Sequence, residues 1–141
     1  MLSVNLDAVF ELSQMAARVM IPKRAGKIIN FASMLSFIGG SRVPAYAASK
    51  GAVMQITKTL SNEWAKYNIN VNAIAPGYMD TALNTNFMKN KERSEFILSR
   101  IPASRWGQPN DIDGLAVLLA TKASDYMTGV TIPVDGGFLG N

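Results

Sequence analysis

Lys27-Ile-Ile-Asn-Phe-Ala-Ser33, a loop, then Tyr46-Ala-Ala-Ser-Lys50: the pattern is a buried strand delivering a hydroxyl, then a helix carrying a phenol and an ammonium. Tyr46 and Lys50 are four apart, so a helix stacks them on one face. Ser33 ends an apolar run, thirteen residues before Tyr46. In an open α/β sheet, ligands bind outside the carboxyl ends of parallel strands. Three polar groups meeting at such an end make an active-site expectation.

The flanking sequence supports strands alternating with helices. Residues 3–21 read as a helix, with Ser3 as its cap and Pro22 and Gly26 ending it. Val4, Leu6, Phe10, Leu12, Met15, Val19 and Met20 give it a broad apolar surface. Ile28 to Ala32 is nearly all apolar, the signature of a strand covered on both faces. Pro44 suits the first turn of a helix running to Tyr67, in which Val53, Ile56, Leu60 and Trp64 keep helical spacing. Ile69 to Ala75 alternates, is rich in β-branched residues, and stops at Pro76-Gly77, so it reads as a strand. Residues 82–100 are polar with a weak helical pattern, which suggests a lid. Pro102 to Pro109 is a loop, Asp111 to about Ala120 a short helix, and Val130 to Val134 a last strand. This order predicts an α/β fold with a Rossmann-like, doubly wound parallel sheet. Three strands with flanking helices and a lid form one domain part over residues 1–141.

Composition removes several chemistries. The chain has no cysteine, so disulfides and thiolate metal sites are excluded, and no histidine, the usual general base. Acid–base work falls to Tyr, Lys, Asp or Glu, and no metal site is expected. The net charge of +4 comes from scattered basic residues, which read as solvated surface rather than a nucleic-acid footprint. No apolar run reaches membrane-spanning length and the start lacks the regions of a signal peptide, so no membrane partner and a cytoplasmic location are expected.

A lone Tyr-x-x-x-Lys is a weak signal. Here it is joined by Asn5 in Val-Asn-Leu, Ser33 after Ile-Ile-Asn-Phe-Ala and Asn72-Ala-Ile-Ala-Pro76-Gly77-Tyr-Met-Asp-Thr81. Further along come Arg105-Trp-Gly-Gln-Pro-Asn-Asp111-Ile and Thr128-Gly with Val134-Asp-Gly-Gly. With these motifs, essentially the whole chain resembles the short-chain dehydrogenases/reductases. The segments Ala32 to Pro44 and Asn62 to Asn72 look most like the members acting on sugar acids.

The resemblance implies an NAD(P)-dependent oxidoreductase that interconverts a secondary alcohol and a ketone. Its substrate would be a sugar acid of the 2-dehydro-3-deoxy-D-gluconate or 2-deoxy-D-gluconate type. Tyr46 would be the general acid/base and would also touch the cofactor and substrate. A free phenol ionises near ~10, too high for a base at neutral pH. A cation at ~4 Å contributes about 4 kcal/mol at an effective dielectric of ~20, roughly three pKa units before desolvation subtracts. Lys50 would supply that field and hold the nicotinamide ribose. Ser33 would hydrogen-bond the reacting oxygen, and Asn5 would hold a water relaying protons from Lys50. Pro76 and Gly77 would let the backbone pass close to the nicotinamide, and the Met79 backbone and Thr81 hydroxyl would bind its carboxamide. NAD is the expected cofactor, with NADP open. Arg42, four residues before Tyr46 in the loop between Ser33 and Tyr46, is a candidate for reading the substrate carboxylate.

The family's Gly-rich diphosphate turn has no match here, nor does its Asn-Asn-Ala-Gly strand. The chain is therefore expected to be a C-terminal catalytic part whose Met1 is an internal methionine or mis-assigned start. It would have an unpaired edge on its first strand and bind nicotinamide cofactor weakly or not at all alone. The helices around 3–21 and 44–67 resemble those that pair subunits in the family, so a homo-oligomer is expected in a full-length form. Two alternatives stay open: a 3-oxoacyl-carrier-protein reductase, and an inactive truncated fragment with only an assembly role.

Overall fold

The computed structural model describes residues 1–141, Leu83 through its backbone alone. The chain opens on a π-helical turn, Ser3–Asp7, that runs directly into helix α1, Ala8–Lys23. Strand β1 (Gly26–Phe31) leads to helix α2 (Pro44–Trp64), and a 3₁₀ turn at Ala65–Tyr67 connects to strand β2 (Ile69–Pro76). Two short helices, α3 (Thr85–Lys89) and α4 (Lys91–Leu98), make up the segment read as a lid. Helix α5 (Asp113–Ala120) and strand β3 (Thr131–Val134) complete the order.

The three strands form one parallel sheet in the order β1-β2-β3. This is the α/β, Rossmann-like arrangement that the alternation of elements predicts. Gly26 aligns with Ile69 and Phe31 with Ile74, while Ala73 aligns with Thr131. Side chains alternate between sheet faces. On one face, Ile28, Ile69 and Val71 join Ala17 of α1 with Leu60 and Trp64 of α2. Farther along the same face, Ala32, Ala73 and Ala75 pack on Val53 of α2. The alanines let α2 approach the strand ends closely, which is where Tyr46 must sit. Among the described residues, the outer edge of β1 pairs with no strand, and Phe31 at its end is exposed.

The helix boundaries depart from expectation at α1. Ser3 makes no cap, because the residues before it are already helical. Pro22 does not stop the helix but lies in its last turn. The reversal comes at Arg24, which takes the left-handed conformation (φ 50°) that ends helices. Most of the broad apolar surface is also not buried, Met20 being the member that packs on the core. Ser13 and Ala17 face the core, while Val4 (71% exposed), Leu12, Met15 and Val19 lie on the outside.

Although the sequence of β2 alternates polar with apolar residues, its residues from Ile69 to Ala75 are all buried. Asn70 and Asn72 are buried because the 125–130 segment uses their amides. Asn70 Nδ2 donates to the carbonyls of Asp125 and Met127, both at 3.0 Å. Asn72 Nδ2 donates to Met127 O at 2.8 Å, and its Oδ1 accepts from the Val130 N–H at 3.1 Å. Lys27 closes the same network, reaching Asn70 Oδ1 at 2.9 Å and Asp125 at 2.7 Å. Buried polar groups require such partners. β1 is less covered than its apolar run suggests: Ile28 and Asn30 are buried, and Asn30 donates to Thr57 of α2 at 3.1 Å.

Candidate active site

The carboxyl ends of β1 and β2 open onto a cavity of about 780 Å³. Ser33, Tyr46, Pro76, Gly77, Met79 and Thr81 all line it, so six of the expected site residues surround one space. Lys50 and Asn5 are not part of its lining. Arg42 is exposed, in a left-handed loop position (φ 64°), and does not line the cavity. Helix α2 begins only at Pro44, which leaves Arg42 in the loop before it, as the sequence places it.

Ser33 is 6% exposed and caps the 3₁₀ turn Met34–Ser36. Its hydroxyl accepts from the Leu35 N–H at 3.1 Å. A hydroxyl has two acceptor lone pairs and one proton, so the Ser33 proton remains available to a ligand oxygen. Ser36 completes a capping box, accepting from the Ser33 N–H at 3.2 Å and donating to the Lys50 carbonyl at 2.6 Å. It thus ties the end of β1 to α2. Sequence reading passed over Ser36, although Ser33-x-x-Ser36 is the spacing of a cap.

Tyr46 is half-buried in the first turn of α2, with Lys50 Nζ 5.8 Å from its ring centre. Lys50 donates to the Phe31 carbonyl at 2.7 Å, and its burial lowers its pKa below the ordinary lysine value. Ser49 is the second residue that sequence reading missed. Fully buried, it donates to the Tyr46 carbonyl at 2.7 Å and accepts from Asn5 Nδ2 at 3.3 Å. Asn5 therefore reaches the turn carrying Tyr46 through Ser49.

The opposite wall is set by the residues after β2. Gly77 has a packing reason of its own, since a Cβ there would stand 2.7 Å from the Asp135 Cα. Met79 is buried and bridges Gly107, its carbonyl accepting from Asn84 Nδ2 at 2.8 Å. Thr81 precedes the turn Ala82–Asn84 without capping it by its side chain, which leaves that hydroxyl uncommitted beside the cavity.

Arg105 and Asp111 clamp the loop that holds Met79. Their bidentate pair has contacts of 2.7 and 2.9 Å, and Asp111 also accepts from the Gln108 N–H at 2.7 Å. The Arg105 hydrogen bonds first, then that of Gln108, hold the Asp111 pKa down at about 2. A carboxylate depressed on folding contributes stability above its unfolded pKa of ~3.9 and loses it as pH falls toward the folded value. Asp111→Asn should therefore flatten the acid limb of the stability profile between about pH 4 and 2. Thermal melts across that range check it, and an unchanged limb would show that the clamp adds nothing.

Residues 1–139 match the family described as enoyl-(acyl carrier protein) reductase, and the motifs are those of the short-chain enzymes. The chain belongs to the short-chain dehydrogenase/reductase family. Similar members of it include the 2-dehydro-3-deoxy-D-gluconate 5-dehydrogenases of Dickeya dadantii and Bacillus subtilis. The first is 59% identical over 139 residues, covering 98% of this chain and 55% of the relative. The second is 56% identical over 138 residues, covering 98% and 54%. A gluconate 5-dehydrogenase from Burkholderia cenocepacia, solved in complex with NADP and tartrate, superposes with a TM-score of 0.96 at 43% identity. That match covers 98% of this chain and 54% of the other. The chain thus spans about half the length of these short-chain relatives.

The cavity wall carries groups able to hydrogen-bond a polar ligand. It offers an uncommitted Thr81 hydroxyl, the half-buried Tyr46 phenol and the Pro76–Gly77 backbone, with the Lys50 ammonium 5.8 Å from the Tyr46 ring centre. No Gly-rich turn for the diphosphate occurs in the sequence.

Proposed function

We propose that residues 1–141 are the catalytic C-terminal part of a single Rossmann-type domain in an NAD(P)-dependent oxidoreductase acting on a sugar acid. The substrate is of the 2-dehydro-3-deoxy-D-gluconate type, whose C5 alcohol and the corresponding ketone are interconverted. One observation carries the reading: Ser33 and Tyr46 share a cavity with Pro76, Gly77, Met79 and Thr81. The names and bound ligands of the relatives support the substrate and cofactor classes.

Tyr46 takes the proton from the substrate hydroxyl in oxidation and returns it in reduction. Ser33 donates to the same oxygen and fixes its position. Lys50 keeps positive charge beside the phenol, at a site whose partial burial strengthens the field. Thr81, Met79, Pro76 and Gly77 hold the nicotinamide end of the cofactor, which supplies the hydride acceptor or donor when bound. Asn5 and Ser49 steady the helical turn that carries Tyr46. The exposed apolar side of α1, with Leu12, Met15 and Val19, supports a homo-oligomer in the full-length form.

The test is turnover by a full-length form, followed through the absorbance of reduced nicotinamide. Sugar-acid substrates should be turned over and a 3-oxoacyl thioester should not. Preference for the thioester would transfer the assignment to acyl-chain reduction.

A further inference from the structure

We propose that Arg93 is the specificity-determining residue that reads the substrate's carboxylate, an inference that rests on the sugar-acid reading above. Arg93 is the single Lys or Arg side chain among the described residues lining the cavity. It shares the lining of that cavity with Ser33 and Tyr46, the pair that the proposed function places at the reacting oxygen.

Two observations separate Arg93, an exposed side chain, from an ordinary solvated arginine. Its guanidinium lies 4.2 Å from the Phe87 ring centre, and stacking on a face leaves the planar N–H edges free for bidentate contact with a carboxylate. No acidic side chain takes those edges: the ion pairs among the described residues are Lys27–Asp125, Lys91–Glu95 and Arg105–Asp111. Asp113, the one carboxylate of the lining, does not pair with Arg93.

The helix beneath it is also held in place. Asn90 caps α4 by accepting from the Arg93 N–H at 3.0 Å. Ser94 accepts from Trp106 Nε1 at 3.3 Å. Ile97, one turn after Arg93 on the same face, is buried with Met34, Ile101, Trp106 and Phe138. Ordering of the stem before the ligand arrives reduces the entropy lost on binding.

The test compares KM and kcat for a keto sugar acid and a neutral ketohexose in a full-length form. Arg93→Gln should raise KM for the acid by about 10- to 100-fold while leaving kcat and the neutral substrate nearly unchanged. Arg93→Lys, which keeps the charge but not the fork, should fall between. Thermal melts of each variant establish that it folds. Equal KM changes on both substrates, or no change on either, would overturn the assignment, as would an effect confined to kcat. Failure of the sugar-acid reading itself would show differently, as a wild-type enzyme that turns over no sugar acid, and it would remove this proposal too.

Discussion

Tyr46→Phe in a full-length form is expected to lower kcat by about 10²- to 10⁴-fold, the usual contribution of a positioned general acid or base, or ~3–5 kcal/mol of transition-state stabilisation. The substitution deletes one oxygen and leaves the ring. That oxygen makes no hydrogen bond to the protein among the described residues, so the helix turn has no structural dependence on it. Ser49 holds the Tyr46 carbonyl and Ser36 holds that of Lys50, both independently of the phenol. The melting temperature should therefore stay close to that of the parent while turnover collapses. Loss of activity together with loss of fold would point to a structural tyrosine. A variant retaining more than about a tenth of the parent kcat would remove Tyr46 from the proton-transfer role.

Much of the site was legible because its residues sit where local rules are strong. Pro44 fixes the start of α2, which makes Tyr46 and Lys50 true helical neighbours, and the apolar run before Ser33 ends where a parallel strand should. Arg42 differs from these: it lies in the loop and does not line the cavity. It stands outside the helix that Pro44 begins, so its distance from Tyr46 in sequence says little about distance in space. Arg93 was hidden by its surroundings, since α3 and α4 contribute few apolar anchors and read as a charged surface stretch. Trp106, whose Nε1 donates to Ser94, and the packing of Phe87, Met88, Ile97 and Leu98 with Met34 and Ile101 turn that stretch toward the cavity. The surface of α1 failed differently. Periodicity shows that an apolar face exists, but not whether this chain covers it.

Asn72 holds the second large effect, and it concerns the fold. The residue is 1% exposed, and both ends of its amide are engaged by the segment leading into β3. Asn72→Ala leaves the Met127 carbonyl and the Val130 N–H without that partner and opens space beside β2. The Met127 carbonyl keeps Asn70 as a donor, so the loss comes from the unsatisfied Val130 N–H, at about 1–3 kcal/mol, and from the space opened beside β2, ~2–4 kcal/mol in all. For a chain of this size that corresponds to a fall in Tm of roughly 8–15 °C. Asn72→Asp separates hydrogen bonding from volume. It is nearly isosteric and keeps the acceptor for Val130, but as a carboxylate it offers no donor to Met127 and buries a charge. It should therefore also destabilise, and more so as the pH rises through its titration. Amide hydrogen exchange locates the damage: protection should fall first over 127–131, because Asn72 acts as the lateral support of that segment. A drop of less than about 2 °C in the alanine variant would mean that water replaces the amide and that β3 is held by its ladder with β2 alone.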